Sequence, residues 1–388
     1  MKALILDAGC SARVQPVTYT LPKPMLPVLN RPVLELVVEH LRSHGVRQIL
    51  IGTSYLGGEI ENYFRDGSRF GVEIGYCFDG WIENGYLADA SIGPAAAIRK
   101  IQDQSGFFDE PFVVSCGDVI TDLDLTRFAD LHRSSGALAT LETFDSSGET
   151  PDNRGTVTAG PDGRVLEVHG TPARGPVAGA MANAGVYLFE PSIAGFIPDG
   201  VPYDIVDDLL PDLLRRDVPV YAAALPCRRF DAGTVTEYYT LLRQAMNGEV
   251  PGLTPPGAEI QPGLRVGPNV QVHPEACTIR GPVSIGASAI IEDGVSLLGP
   301  CYIGPGAVVQ SGAVVDGSFV FEHTRVGANT HLKRSIANGC FCVTSDGVAV
   351  RVAESRLDWV LSDAGAQHQF IADPRQMLDA LTRLADGQ

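Results

Sequence analysis

Between Leu264 and Val343, bulky apolar residues recur every six positions, at Ile285, Ile291, Leu297, Ile303, Val309, Val315 and Phe321. Small or medium residues follow four places later, at Ala289, Val295, Cys301, Ala307 and Ala313. An earlier stretch keeps the same rhythm with itself, Val266 and Val272 alternating with Val270 and Ala276, and one extra residue precedes Ile285. A period of six fits neither an α-helix nor a flat strand. It fits a three-sided solenoid in which each short face takes one hexapeptide, the bulky residue pointing inward and the small one turning the corner. The pattern predicts a left-handed parallel β-helix over 264–345, of roughly four coils with about eighteen residues each. Open coil ends and flat faces invite self-association, so a homo-oligomer built through the β-helix is expected.

The Pro/Gly-rich segment 251–263 precedes this repeat and is the predicted linker; 346–388 is a tail whose stripe Met377, Leu378, Leu381 and Leu384 predicts a helix. Residues 1–250 follow a different rhythm. Ala3–Leu6, Gln48–Gly52, Val72–Tyr76 and Phe112–Ser115 are short apolar runs of strand length. Helical patterns such as Val33–His44 and Ala95–Gln102 lie between them. Ala184–Phe189, Ile205–Arg216, Val220–Leu225 and Thr236–Met246 continue the alternation. Strand, helix, strand in succession predicts an α/β domain with a mostly parallel sheet covered on both faces.

Composition narrows the partners. A formal charge of −17 over 388 residues argues against a nucleic-acid groove or an anionic membrane surface. It does not exclude phosphate, which a few fixed cations and backbone N–H groups can hold. The eight cysteines are scattered without a C-x-x-C pair, which predicts reduced thiols and no zinc site. The apolar run after Lys2 stops at Asp7, and no stretch approaches a membrane span, so a cytoplasmic location is expected.

Chemistry concentrates at the amino terminus. The strand from Ala3 ends in the small-residue loop Ala8, Gly9, Cys10, Ser11 and Ala12, where backbone N–H groups can approach a polyphosphate. Arg13 and Lys23 are cations placed to neutralise it, and Pro22 and Pro24 stiffen the chain around Lys23. Asp118 follows the buried strand Phe112–Cys116, at the carboxyl end where ligands bind in open α/β sheets. Asp231 stands at a second strand-to-helix turn. Two carboxylates converging on a triphosphate suit Mg2+, which takes one or two protein oxygens and completes its shell with phosphate and water. Asp122 and Asp124 read as turn and cap residues.

The segment from Ala3 to Val28, with its small-residue loop, Arg13 and Pro22-Lys23-Pro24-Met25, resembles the signature of the sugar-1-phosphate nucleotidyltransferases. The likeness continues through Gly52-Thr-Ser-Tyr-Leu56, Phe112-Val-Val-Ser-Cys-Gly-Asp118, Asn183-Ala-Gly-Val-Tyr-Leu-Phe-Glu-Pro191 and Phe230-Asp-Ala-Gly-Thr234. With the hexapeptide tail, the chain is most similar to the mannose-1-phosphate guanylyltransferase and glucose-1-phosphate adenylyltransferase branch. The resemblance implies a Rossmann-like nucleotidyltransferase domain that condenses an NTP, GTP or ATP by overall similarity, with a sugar-1-phosphate. It further implies that Arg13 holds the β- and γ-phosphates, that Lys23 meets the α-phosphate or the incoming phosphate, and that Asp118 and Asp231 hold the metal. Gly93 joins the nucleotide site, and Gly155, His169 and Asn183 line the acceptor site.

Departures from that pattern cluster on the acceptor side. Ser11 and Ala12 replace a glycine and a threonine of the loop, Asp7 replaces an alanine, and Pro94 follows Gly93. Gly170 and Thr171 stand where a glutamate and a lysine precede Pro172, and Ala184 follows Asn183 where a threonine is usual. Arg154, Arg174, Arg228 and His169 are candidate replacements for the lost cation. The rebuilt acceptor side implies an unusual acceptor, a modified sugar or cyclitol phosphate. The alternatives are a catalytically weak paralogue that binds nucleotide sugars as a regulatory subunit, or a bifunctional enzyme whose hexapeptide domain transfers an acyl group with His273, His323 or His331 as base.

Overall fold

Alternation within the first strand sets the sheet between two cores. In β1 (Lys2–Leu6), Ala3 and Ile5 enter one apolar cluster and Leu4 the other. The computed structural model describes residues 1–6, 12–54, 56–83, 86–88, 92–145, 155–170 and 179–365. By contacts the chain divides into two compact units, Met1–Thr234 and Val235–Gln388. The division therefore falls ahead of the Pro/Gly-rich segment 251–263.

The first unit is a nine-stranded mixed sheet. β1, β2 (Gln48–Thr53), β3 (Glu73–Phe78) and β4 (Phe112–Cys116) are parallel neighbours, in the order β4-β1-β2-β3. β5 (Val119–Thr121) stands outside this sheet and pairs with β11 (Arg229–Asp231). Beyond β4 lies β9 (Met181–Phe189), running antiparallel to it. One edge of β9 takes both β4, at Val186–Phe189, and β7 (Thr156–Ala159), at Met181–Ala182. β8 (Val165–His169) pairs with the far side of β7. The other edge of β9 takes β6 (Ala139–Phe144), which borders β10 (Val220–Ala223). Only β8 and β9 run against the other seven strands, so the carboxyl ends of the parallel set share one edge.

Helices cover both faces because their apolar residues repeat at helical spacing. α1 (Val33–Ser43) buries Val33, Leu34, Val37, Val38 and Leu41, and with α2 (Gly57–Phe64) and α4 (Leu125–Ser135) closes one core. α3 (Pro94–Ser105) and α5 (Leu210–Arg215), the latter continuing a π turn at Ile205–Leu209, close the other. Asp124 caps α4 by accepting the N–H groups of Thr126 and Arg127, as its position predicts.

The second unit is the solenoid. Ile285, Ile291, Leu297, Ile303, Val309 and Val315 all point into its core, as do Ala289, Val295, Cys301, Ala307 and Ala313. Phe321 does not. The ladder pairs Ile303 with Val320 and Val320 with Ala337, so the third and fourth coils are each one residue shorter than the coil from Ile285 to Ile303, and Val320 takes the inward place. The first coil is the open end: Val266, Val270 and Val272 are half-buried and Ala276 is exposed. A glycine column at Gly267, Gly286 and Gly304 marks one corner, where a Cβ would strike the backbone of the next coil.

Helix α6 (Val235–Met246) belongs to this unit, for a reason the repeat conceals. On one face the outward column Ser284, Tyr302, Phe319 and Ile336 is apolar enough to need a cover, and all four are buried. Tyr239 of α6 meets Phe319 edge-on and donates its hydroxyl to the Gly317 carbonyl at 2.6 Å. At the far end Phe341–Thr344, Ala349–Arg351 and Leu361–Asp363 add antiparallel strands to two of the three faces. The predicted helix in 374–385 lies outside the described residues. Among the described residues no helix is long and apolar enough to cross a membrane.

Candidate active site

The carboxyl edge of the parallel strands gathers the charged residues that the sheet buries. Lys23 lies in a single 3-10 turn, Lys23–Met25, between two prolines, and is 4% exposed. The ammonium reaches the Asp118 carboxylate in a buried ion pair. Asp118 leaves β4 just after Gly117, whose N–H donates to the Leu6 carbonyl at 2.9 Å, tying the end of β4 to the end of β1. A β-carbon on Gly117 would crowd Ile5 and that same carbonyl, so the turn after β4 stays tight.

Asp231 arrives from a distant part of the chain. β11 pairs antiparallel with β5, and the register sets Asp231 opposite Val119. Asp231 is thereby one residue from Asp118 across the ladder, and it is half-buried. A second buried charge pair anchors β11. Arg229 lies 3.4 Å from Glu142, itself 1% exposed, and also donates to the Ala184 carbonyl. Burial raises the Glu142 pKa, and the Arg229 guanidinium works against that rise. Sequence reasoning missed this pair; its one signal is an acidic residue in the apolar strand Ala139–Phe144.

The acceptor-side residues lie along the same edge of β9. Ser115 of β4 faces Val186, and Thr156 of β7 faces Ala182, four residues further along. β9 bulges between these pairs, its register against β6 slipping between Leu141 and Thr143, so the two strand ends lie closer than the about 13 Å of four extended residues. Asn183 donates its N–H to the Gly155 carbonyl at 3.1 Å. Its side chain, 2% exposed, donates to the Tyr187 hydroxyl at 2.6 Å and accepts the Gly185 N–H. His169 pairs with Thr156, which pairs with Ala182, so His169 and Asn183 face opposite sides of the sheet. The His169 ring lies 3.4 Å from the Thr158 hydroxyl and 3.7 Å from Glu167.

The remaining candidates divide. Gly93 is the N-cap of α3 with φ +87, and the next two N–H groups, of Ala95 and Ala96, both go to the Tyr203 carbonyl. Arg13 is exposed in the 3-10 turn Ala12–Val14. Ala8, Gly9, Cys10 and Ser11 lie outside the described residues, as do Arg154 and Arg174. Arg228 is held by Asp122, through its N–H at 2.6 Å and its Nε at 2.8 Å. Among the described residues no three His, Cys, Asp or Glu side chains form a metal cluster. A pair of hard oxygen donors, Asp118 and Asp231, fits an ion that fills its shell with phosphate and water. A separate cavity of about 300 Å3, lined by Met1, Glu110 and His132, opens at the opposite, amino-terminal ends of β1 and β4.

Residues 2–248 match the family model for nucleotidyl transferase, and residues 282–317 match the bacterial transferase hexapeptide model of six repeats. The chain is 42% identical over 364 residues to a UTP–glucose-1-phosphate uridylyltransferase from Synechocystis sp., covering 94% of each chain. It is 27% identical to a mannose-1-phosphate guanylyltransferase from Mycobacterium tuberculosis, over 86% of this chain and 83% of that one. A crystal structure from Bacillus anthracis, described as a glucose-1-phosphate thymidylyltransferase, shares the fold at 22% identity with a TM-score of 0.52. That match covers 62% of this chain and 94% of the other.

Proposed function

Because this chain belongs to the nucleotidyl transferase family and is an enzyme of the sugar-phosphate nucleotidyltransferase type, we propose that it condenses UTP with glucose-1-phosphate to give UDP-glucose and pyrophosphate. The buried Lys23–Asp118 pair, with Asp231 beside it in the ladder, carries the reading. The 42% identical relative supports UTP over the GTP or ATP to which overall similarity leans, and glucose-1-phosphate over a cyclitol phosphate.

A phosphate oxygen of the sugar phosphate attacks the α-phosphorus in line. The bond from that phosphorus to the β-bridging oxygen breaks, and pyrophosphate leaves with the electron pair. Such a transfer needs positioning and charge neutralisation more than proton movement. Lys23 exchanges its contact with Asp118 for the α-phosphate oxygens, where an ammonium in a buried site acts strongly on developing charge. Asp118 and Asp231 are the residues that would hold Mg2+, which supplies charge neutralisation to the triphosphate and the departing pyrophosphate. Arg13 serves the β- and γ-phosphates beside the loop Ala8, Gly9, Cys10 and Ser11, and Gly93 lies at the nucleotide. Gly155 and Asn183 border the acceptor, whereas His169, on the other side of the sheet from Asn183, is left out of that site. In this reading the protein works in the cytoplasm as a homo-oligomer joined through the β-helix.

Pyrophosphate release is measured with each of four NTPs against glucose-1-phosphate, mannose-1-phosphate and cyclitol phosphates, with Mg2+ present. UTP with glucose-1-phosphate is expected to turn over fastest. If no pair exceeded a Lys23→Ala control, the enzymatic reading would fail, and nucleotide-sugar binding without turnover would point to a regulatory subunit.

A further inference from the structure

We propose that Asp207 is the residue by which this chain tells one hexose phosphate from another, its carboxylate accepting hydrogen bonds from ring hydroxyls of the acceptor. The inference rests on the reaction proposed above and adds to it the residue that selects the sugar.

Asn183 ties Gly155 to β9, and the pairing of Thr156 with His169 sets Gly155 beside Gly170 at the adjoining ends of β7 and β8. Gly155 has φ +75, and a Cβ there would meet Val206 and the His169 carbonyl at 2.7 and 2.9 Å. A Cβ on Gly170 would fall on the Asp207 carboxylate oxygen Oδ1. The space that a side chain at 170 would enter is thus filled by a carboxylate from another segment. That segment, Ile205–Leu209, is a π turn, a rare form that occurs frequently at functional sites. Asp204 fixes it by accepting the N–H groups of Val206 and Asp207 at 2.6 and 2.9 Å, and Asp208 accepts the N–H of Asp204 at 2.8 Å. Asp204 and Asp208 hold the backbone of the turn, and the turn carries the Asp207 carboxylate over Gly170.

Charge then fixes which end of the acceptor comes here. A carboxylate only accepts hydrogen bonds and repels phosphate. The phosphate of a hexose-1-phosphate therefore turns toward Lys23, and its hydroxyls, which are donors, turn toward Asp207. A carboxylate held by a fixed turn meets a given hydroxyl at one position of the ring, so removing or inverting that hydroxyl leaves the carboxylate without its partner.

The test compares kcat/KM for glucose-1-phosphate, its 2-, 3-, 4- and 6-deoxy analogues, and galactose- and mannose-1-phosphate in wild type, Asp207→Asn and Asp207→Ala. Wild type is expected to reject at least one deoxy analogue by about tenfold or more. Asp207→Ala is expected to lose about tenfold on glucose-1-phosphate, to keep its KM for the nucleotide, and to stop distinguishing that analogue. Asp207→Asn should fall between. If Asp207→Ala kept the wild-type order of acceptors, or lost every acceptor and the nucleotide alike, the inference would be overturned while the reaction stood. Silence of the wild-type protein with every acceptor would overturn the reaction and the inference together.

Discussion

The two units bury different kinds of polar side chain. In the first, Lys23, Asp118, His132, Glu142 and Asn183 are all buried, alongside several hydroxyls. In the solenoid, the buried polar residues among those described are Ser284, Ser318, Thr324, Thr330, Ser335 and Ser345, hydroxyls without exception. A serine or threonine can bond a nearby carbonyl, as Ser318 does on Asp316 and Ser335 on Lys333. A buried charge needs a dedicated partner, and replacing such a pair with apolar residues often stabilises a protein. A repeat selected for stacking has no use for that penalty. A sheet edge that must grip phosphate does, and Lys23 with Asp118 lies there, with the Glu142–Arg229 pair anchoring the strand that carries Asp231.

The sharpest way to break the contrast is Lys23→Ala. Turnover is expected to fall about 100- to 1000-fold, read as pyrophosphate release. Because Asp118 would keep its charge in a buried site, stability should also drop by about 3 kcal/mol, read by denaturant titration. Neutral behaviour in both measurements would make the buried charge of the first unit as dispensable as a surface one. The matching change in the solenoid is Ile303→Ala. Ile303 is 0% exposed, and truncation there should remove about 3 kcal/mol of stability. Turnover per folded molecule should stay at the wild-type value.

Acid separates the units next. Burial, then the neighbouring His44 charge, pushes His40 down to about 4 from its usual 6.5. An unfolded chain binds that proton near pH 6.5 and the folded one does not, so the stability His40 permits is complete above pH 6.5 and is lost as pH falls toward 4. After allowance for partial screening, the loss is about 2 kcal/mol, and His40→Gln should flatten the slope. In the solenoid, His273 is raised by Asp293, so its contribution has the opposite sign: present at low pH and lost as pH rises. A first unit no weaker at pH 4.5 than at pH 7 would remove this difference. The smallest effect is expected at Gly304→Ala. The added Cβ would come 2.5 Å from the backbone of Phe321 and Glu322, shifting one coil for about 1 to 2 kcal/mol. Calorimetry of the purified variant checks it.

What was legible depended on how local the signal was. The inward residues from Ile285 to Val315 declared themselves because each contributes to the same column every six positions. The column failed at Phe321, since a single-residue shortening of a coil is invisible until the ladder pairs Ile303 with Val320. Asp118 and Asp231 stood out as acids at strand ends. Their adjacency was not readable, because it depends on β5 meeting β11 from 110 residues away in the chain. Helix α6 looked like the end of the first domain, being an amphipathic helix before a linker. Its buried face meets the outward Tyr302 and Phe319 column, which no local pattern announces.

By itself the sequence determined the class of each unit and the chemical types at the site, because strand and coil periodicity and residue identity are local properties. Tertiary structure alone decided which groups meet: Lys23 with Asp118, Arg229 with Glu142, and Asp207 over Gly170. Those contacts depend on strand register and on backbone approaches between distant segments, and a one-residue shift in either would separate them.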